Sequence, residues 1–209
     1  MPEFYALSII ILLFSVILHE VAHGLMAYKF GDHTAERAGR LTLNPIPHID
    51  PIGTIFLPLL LKLSGSPILF GWAKPVPVNP LNFSNIKKGE LFVALAGVGA
   101  NFFLSISCSV LLHILEATFP NPLLLSLAYY GVYINLVLTI FNLLPIPPLD
   151  GSKVILSQLP YDLARKYMSL ERYSLLIFLS LWIIRIGNTS IIELILTSGI
   201  NLFRGILGI

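Results

Sequence analysis

The residues of this chain best suited to chemistry form the motif H-E-V-A-H at positions 19–23, at the end of an apolar run that begins at Phe4. Side chains four positions apart on a helix lie one above the other, so His19 and His23 can direct two imidazole nitrogens at one metal ion. Glu20 lies about 100° around the helix from His19, and its carboxylate can take a proton from a metal-bound water. The motif therefore predicts a zinc site, which still requires a third protein ligand.

The surroundings of the motif argue against the alternative, an ordinary exposed helix face. Residues 9–18 before it are almost entirely aliphatic. The 209-residue chain is 56% hydrophobic and 11% charged, with a mean hydropathy of +0.83, which is typical of an integral membrane protein. Ionisable side chains inside a membrane segment are costly and usually functional. The net charge of +2 includes no basic stripe, so we expect a lipid bilayer around the protein and no nucleic-acid partner.

The elements that must position this motif are predicted to be membrane helices. A hydrocarbon core of roughly 30 Å requires about 20 helical residues. The predicted spans are residues 4–29, 89–115, 123–144, 173–186 and 191–207. Prolines and a glycine interrupt segment 52–70, which we interpret as re-entrant or as a hairpin. The predicted fold class is therefore all-α, a polytopic membrane helix bundle with about five to six membrane segments.

A short β-like element is predicted near residues 39–50, because residues 40–44 alternate like a strand. Such an element could offer an edge on which an unwound substrate adds as a strand. We interpret residues 1–209 as a single membrane domain, with a catalytic core at about 4–153 and C-terminal helices at about 173–208. The first apolar segment lacks a basic leading region and a small-residue cleavage site, so we expect a retained span instead of a signal peptide.

The third metal ligand has several candidates in the sequence. They are His33, His48, Asp50, His113, Glu116 and Asp150. Asp150 follows a predicted span directly and lies in a proline-rich turn closed by Gly151, which can direct its carboxylate back at the bundle. Among the others, His33 and His48 are interpreted as loop residues, Asp50 as a cap, and His113 and Glu116 as interfacial residues.

The orientation of the chain follows from the shared metal. Asp150 can join the two histidines only if the first span and span 123–144 end on the same side of the membrane. Span 89–115 supplies the crossing between them, so segment 52–70 should enter and leave by one face. Ten of the thirteen basic residues then lie on the side of the metal, namely Lys29, Arg37, Arg40, Lys74, Lys87, Lys88, Lys153, Arg165, Lys166 and Arg172. By the positive-inside tendency, that side is cytoplasmic.

Four segments of the chain carry a family resemblance. They are H-E-V-A-H-G at 19–24, G-R-L-T-L-N-P-I-P-H-I-D-P-I-G at 39–53, G-W-A-K-P-V-P-V-N at 71–79 and N-L-L-P-I-P-P-L-D-G at 142–151. In this order they resemble the site-2 proteases, which are intramembrane zinc metalloproteases. The resemblance implies that His19, His23 and Asp150 hold one Zn²⁺ per chain and that Glu20 is the general base. It also implies that Asn142 is a catalytic residue that steadies the substrate backbone or the developing oxyanion.

The function implied by this resemblance is hydrolysis of peptide bonds in transmembrane protein substrates, as in regulated intramembrane proteolysis. The compact chain matches a form without a PDZ or CBS module, and we expect it in a prokaryotic plasma membrane. A metal transporter would not need Glu20 and would repeat ligands along a pore. A catalytically silent scaffold would have no chemical reason to keep Glu20 with three ligands. Asn101 and Asn135, inside predicted spans, should find interhelical partners, and either could line the active-site cavity.

Overall fold

The computed structural model describes residues 2–64 and 71–208, and this part of the chain is mostly helical. The helices are α1 (Pro2–Lys29), α2 (Thr34–Arg37), α3 (Leu57–Leu63), α4 (Ile86–Thr118), α5 (Pro122–Asn142), α6 (Asp150–Leu156), α7 (Tyr161–Met168), α8 (Ser174–Ile183) and α9 (Ile191–Leu207). Strands β1 (Arg185–Ile186) and β2 (Thr189–Ser190) pair antiparallel as a small hairpin. Short 3-10 turns lie at Ile46–His48, Pro80–Asn82 and Ser169–Tyr173, and a π-helical turn lies at Pro51–Phe56.

Within the described residues, three helices are long and apolar enough to cross a membrane, namely α1, α4 and α5. Helix α4 packs against both α1 and α5, and α1 also contacts α5. Large apolar side chains on the outer faces of these helices remain exposed, for example Ile9 at 63% and Phe103 at 66%. Such faces suit a hydrocarbon environment, and the protein is an integral membrane protein. The predicted spans 4–29, 89–115 and 123–144 are confirmed to within a few residues.

The two ends of the α4–α5 hairpin are defined by asparagine caps. At the start of α4, Asn85 accepts a hydrogen bond from the backbone nitrogen of Lys88. At the start of α5, Asn121 accepts from the backbone nitrogens of Leu123 and Leu124. Each cap satisfies donors that the first helical turn leaves open. The connection between the helices is short, so α5 returns to the side on which α4 begins.

Of the two C-terminal helices, α8 is shorter than the predicted span 173–186, whereas α9 has the predicted bounds 191–207 but fewer than the about 20 residues that a full crossing requires. Helix α8 has 10 residues and α9 has 17, which correspond to about 15 Å and about 26 Å at 1.5 Å per residue. The chain turns at Gly187, with a φ of +66°, and a capping box between Ser190 and Glu193 starts α9. The prediction of five to six membrane segments is therefore not confirmed, since the described residues hold three helices of spanning length.

The β-like element predicted near residues 39–50 is wrong. The backbone nitrogen of Asn44 donates to Oγ1 of Thr42, and the backbone nitrogen of Ile46 donates to Oδ1 of Asn44. Nε2 of His48 lies 2.9 Å from the carbonyl oxygen of Thr42. These local bonds give the backbone an alternative to a strand ladder, so residues 41–43 form bends. The edge expected for a substrate strand is not present at residues 40–44.

The two ends of the segment predicted as re-entrant lie next to each other. Its first part forms the π-helical turn and α3, and residues 65–70 lie outside the described residues. The backbone nitrogen of Trp72 donates to the carbonyl oxygen of Gly53 at 3.1 Å, and Oγ1 of Thr54 donates to the carbonyl oxygen of Trp72 at 2.7 Å. This closure agrees with a segment that enters and leaves by one face, while its path in the membrane stays a prediction.

Asp32 joins the end of α1 to the segment that precedes α4. Its side chain is fully buried and accepts hydrogen bonds from the backbone nitrogen of Asn79 at 2.7 Å and from Nδ2 of Asn82 at 2.8 Å. Thr34 donates to it through both its backbone nitrogen and its hydroxyl. Burial disfavours the charged carboxylate, but the hydrogen bonds from Thr34, Asn82 and Asn79 outweigh it and lower the pKa of Asp32.

Candidate metal centre

The side chains of His19, His23 and Asp150 meet inside the bundle. Nε2 of His19 lies 2.9 Å from Nε2 of His23. Oδ2 of Asp150 lies 3.2 Å from Nε2 of His19 and 3.1 Å from Nε2 of His23. All three residues are buried, with exposed fractions of 7%, 7% and 4%. The structure thus brings together the two motif histidines and the aspartate, 127 residues beyond His23.

The other ring nitrogen of each histidine faces an oxygen. Nδ1 of His19 lies 2.6 Å from Oδ1 of Asn101, and Nδ1 of His23 lies 2.7 Å from the carbonyl oxygen of Val93. A carbonyl oxygen can only accept, so Nδ1 of each neutral ring carries the proton and donates it. Each Nε2 then presents a lone pair to the shared point. This is the arrangement found in metal-binding histidines, whose second nitrogen donates to an outer acceptor.

These three atoms fit a metal ion. Oδ2 of Asp150 is buried and has no hydrogen-bond donor. Without a cation, two nitrogen lone pairs and a carboxylate oxygen at about 3 Å would repel one another. Ligands on a tetrahedral zinc at about 2.0–2.1 Å lie about 3.3 Å from each other, close to the observed separations. No other described group of three His, Cys, Asp or Glu side chains is arranged in this way.

Gly97 makes room for the two imidazole rings. A Cβ atom placed on Gly97 would lie 2.5 Å from Cε1 and Nε2 of His23 and 2.7 Å from Cε1 of His19. Any other residue at this position would occupy space that the rings fill. The close approach of α4 to α1 therefore depends on a missing side chain, as is common where membrane helices pack tightly.

The turn after α5 sets the position of Asp150. Hydrogen bonds from the backbone nitrogen of Ile146 to the oxygen of Leu144 and from Leu149 to the oxygen of Ile146 close this turn. A side chain on Gly151 would collide with the backbone oxygen of Leu143. Nζ of Lys153, half exposed, donates to Oδ1 of Asp150 at 3.1 Å and leaves Oδ2 to face the histidines.

Glu20 is held next to this centre by the loop between α3 and α4. The backbone nitrogen of Val76 donates to Oε2 of Glu20 at 2.7 Å. Pro75 and Pro77 flank Val76 and have no backbone N–H, so Val76 supplies the one donor within residues 75–77. One carboxylate oxygen of Glu20 is thus fixed by a backbone donor.

A cavity of about 900 Å³ opens onto these residues. Its lining includes the polar groups expected at the site, namely His19, Glu20, His23, Asn142 and Asp150. Helix α7 contributes Tyr161, Ala164, Arg165 and Met168, which share one helix face, to another part of the wall. Asn142 ends α5 and donates through Nδ2 to the carbonyl oxygen of Leu138 at 3.0 Å.

The remaining candidate ligands lie away from the three converging side chains. They are His33, His48, Asp50, His113 and Glu116. His33 contacts Glu36, and Asp50 caps the π-helical turn by accepting from Ile52 and Gly53. His48 is fully buried against Thr42, and Nδ1 of His113 lies 2.7 Å from the carbonyl oxygen of Ser109 in its own helix. Asp50 was predicted as a cap, and this is confirmed.

Asn101 and Asn135 find the interhelical partners that were predicted, but neither is among the residues that line the large cavity. Other contacts of the site were not predicted. Gly97 and Asn101 are four residues apart and share one face of α4, but only the structure shows that this face meets His19. The contact of Lys153 with Asp150 is an i, i+3 pair within α6, whereas the contact of the Val76 backbone with Glu20 leaves no pattern in the sequence, since it depends on how separate segments meet.

The fold and the site together define a class of protein. Buried histidines of an H-E-x-x-H motif converge with an aspartate between membrane-spanning helices, and a glutamate lies in the same cavity. This combination is typical of a membrane-embedded metallohydrolase. The sequence model of a known family, described as "Peptidase family M50", matches residues 112–184.

Relatives of known sequence extend this match. "Putative zinc metalloprotease YwhC" of Bacillus subtilis is 39% identical over 187 residues, covering 86% of this chain and 81% of that protein. "Putative zinc metalloprotease Rip2" of Mycolicibacterium smegmatis is 31% identical over 187 residues, covering 88% and 69%. "Putative zinc metalloprotease MJ0611" of Methanocaldococcus jannaschii is 33% identical over 160 residues, covering 74% and 73%. The chain belongs to Peptidase family M50. No solved structure matches it.

Proposed function

We propose that this zinc metalloprotease hydrolyses peptide bonds of transmembrane protein substrates within the membrane. The observation that carries the proposal is the convergence of Nε2 of His19, Nε2 of His23 and Oδ2 of Asp150 between membrane-spanning helices. The ligands of the zinc ion are these three side chains. The three donor atoms surround one position, so each chain binds one zinc ion.

The chain's own residues supply the proton transfers. When bound, zinc lowers the pKa of a coordinated water and polarises the scissile carbonyl. Glu20 accepts a proton from the attacking water and delivers it to the leaving amine nitrogen as the C–N bond breaks. The N–H of Val76 holds Oε2 of Glu20, which fixes the carboxylate at the cavity. Asn142, in the same wall, steadies the substrate backbone or the developing oxyanion.

A substrate must change conformation before it can react. The backbone carbonyls of a transmembrane helix are already hydrogen-bonded within the helix, so they are not available to a metal site. The 900 Å³ cavity supports binding of a locally unwound segment. The substrate class that follows is a membrane protein whose span unwinds easily, for instance at glycine or proline residues.

The active site is directed towards the cytoplasmic face of a prokaryotic plasma membrane. The end of α1, the start of α4 and the turn after α5 lie on one side of the three-helix bundle. Lys29, Lys87 and Lys88 belong to these segments, and Lys153 lies in α6, directly after the turn. Such an excess of basic side chains is typical of the cytoplasmic side.

Metal analysis and a cleavage assay test this function together. Wild type and Glu20→Gln, purified in detergent, should hold near-stoichiometric zinc, and Asp150→Ala should lose it. Reconstituted in vesicles with a single-span peptide that carries a central Gly-Pro pair, wild type should cut within the span and Glu20→Gln should not. Glu116→Gln is the matched control, because this carboxylate lies outside the metal centre. Full zinc in Asp150→Ala, or cleavage confined to soluble peptides, would refute the proposal.

A further inference from the structure

A chain of buried amide hydrogen bonds leads from His19 into the centre of the bundle. Oδ1 of Asn101 lies 2.6 Å from Nδ1 of His19, and Nδ2 of Asn101 donates to Oδ1 of Asn135 at 3.0 Å and to the carbonyl oxygen of Ser15 at 3.2 Å. Nδ2 of Asn135 donates to Oγ of Ser15 and to the carbonyl oxygen of Gly131. Ser15, Asn101 and Asn135 are no more than 1% exposed and come from α1, α4 and α5.

The directions of these bonds are fixed by groups that cannot reverse. The carbonyl oxygens of Ser15 and Gly131 only accept, so each must face the NH₂ group of its asparagine. The amide oxygen of Asn135 then faces Asn101, and the amide oxygen of Asn101 faces His19. An oxygen there can only accept, so Nδ1 of His19 carries the proton. The network therefore selects the tautomer in which Nε2 is free to bind a metal.

We propose that Asn101 is a positioning residue, which fixes the tautomer and ring orientation of His19, and that Asn135 and Ser15 act by orienting Asn101. This inference rests on the proposed function of His19 as a metal ligand. The two histidines differ in the kind of acceptor that orients each ring. The backbone oxygen of Val93 orients His23 and no substitution at that position removes it, whereas the partner of His19 is a side chain that can be exchanged.

A purely structural role would be adhesion between the three helices, which buried amides often provide. Adhesion and positioning predict different results. If the network only holds helices together, any loss of zinc affinity should follow the loss of stability of the metal-free protein. If Asn101 positions His19, zinc affinity should depend on the acceptor that faces Nδ1, whatever the effect on stability.

Two substitutions of Asn101 separate these possibilities. Asn101→Leu removes the acceptor for His19 and keeps the number of side-chain heavy atoms. Asn101→Asp keeps an acceptor for His19 but places a carboxylate oxygen near the carbonyl oxygen of Ser15, which lowers stability. Ser105→Ala is the matched control, since this buried serine lies one turn further along α4 and, among the described residues, its hydroxyl donates only to the carbonyl oxygen of Phe102 in its own helix.

The experiment is a zinc competition titration with a chelator in detergent, together with the melting temperature of each metal-free protein. Loss of an outer partner of a metal-binding histidine typically lowers metal affinity by about 10–100-fold. We expect a loss of that size for Asn101→Leu, a change of less than about 3-fold for Asn101→Asp and no change for Ser105→Ala. The metal-free form of Asn101→Asp should nonetheless melt at a lower temperature than wild type.

Each outcome decides the inference. Wild-type affinity in Asn101→Leu, or affinities that merely follow the melting temperatures, would overturn it while leaving the proposed function intact. A wild-type protein that binds no zinc would overturn both. If Asn101→Leu does not fold, Asn135→Leu decides, because it keeps the acceptor but removes one of the two partners of Nδ2 of Asn101 and leaves the carbonyl oxygen of Ser15 as the other. It should lower the affinity by an intermediate factor, and an unchanged affinity would count against positioning.

Discussion

Gly97→Ala tests how closely the metal centre depends on the packing of α4 against α1. The added Cβ would lie 2.5 Å from Cε1 and Nε2 of His23, whereas ordinary contacts of a Cβ begin at 3.4 Å. The difference between these distances, 3.4 − 2.5 = 0.9 Å, is the distance by which the ring must retreat. Metal–ligand distances tolerate changes of about 0.2 Å. The substitution should therefore displace a ligand nitrogen several times further than a metal site allows.

The expected loss of zinc affinity is about 100-fold or more. Removal of an outer partner already costs about 10–100-fold, and here a ligand itself is displaced. A 100-fold loss corresponds to about 2.8 kcal/mol of binding free energy. Alanine is also the better helix former, by about 0.5–1 kcal/mol, so the helix should not be weakened by its intrinsic propensity.

Gly99→Ala is the matched control for this substitution. It lies on the same helix two residues further on, and a Cβ there would meet no atom within 4 Å. The assay is a chelator competition titration for zinc, with the helical content of each metal-free protein checked by circular dichroism. Gly99→Ala should bind zinc like wild type. If Gly97→Ala also kept wild-type affinity with normal helical content, the packing that we assign to the two rings would be wrong.

Three further predictions follow from contacts around the site. Asp32→Asn should lower the melting temperature at neutral pH, because the lowered pKa of Asp32 shows that its ionised carboxylate stabilises the fold. This difference from wild type should disappear as the pH falls below 3.8, where the carboxylate of Asp32 becomes protonated. A difference in melting temperature that is constant from pH 7 to pH 3 would contradict this. Lys153→Met should weaken zinc binding by less than about 5-fold in a chelator titration, because its contact with Asp150 is half exposed; a larger loss would mean that Lys153 does more than orient the carboxylate. On a cysteine-free background, Lys87→Cys should react with a membrane-impermeant maleimide from the cytoplasmic side and Thr118→Cys from the opposite side, and the reverse pattern would refute the proposed orientation.

The membrane helices and the metal motif could be predicted from the sequence because each is a local property. Helix length and hydropathy fix α1, α4 and α5 within a few residues, since the hydrocarbon thickness sets how many apolar residues a span needs. The spacing of His19 and His23 fixes their common direction through the geometry of a helical turn. The choice of Asp150 used a further argument, that this residue directly follows a predicted span and lies in a proline-rich turn closed by Gly151.

The wrong prediction of a β-like element near residues 39–50 also has a local cause. Alternation of apolar and polar residues is the same in a strand and in a run of turns stabilised by side chains. Thr42 and Asn44 accept hydrogen bonds from nearby backbone nitrogens, and no strand among the described residues lies beside them to compete for these donors. The predicted span 173–186 is longer than α8 for a related reason, since apolar composition alone does not show where a helix will stop.

What the sequence by itself determined was the class of the protein, its membrane helices and the side chains that can hold and serve a metal. Only the tertiary structure decided how those side chains are held. Val76 is hydrogen-bonded to Glu20, which lies 56 positions away in the sequence, and Asn101 is hydrogen-bonded to His19, which lies 82 positions away. Such contacts leave no periodic signal, because they arise from the packing of separate segments and not from the repeat of one helix. Asn101 therefore appears in the sequence as one polar residue in an apolar span, and only the structure gives it a partner in the metal centre.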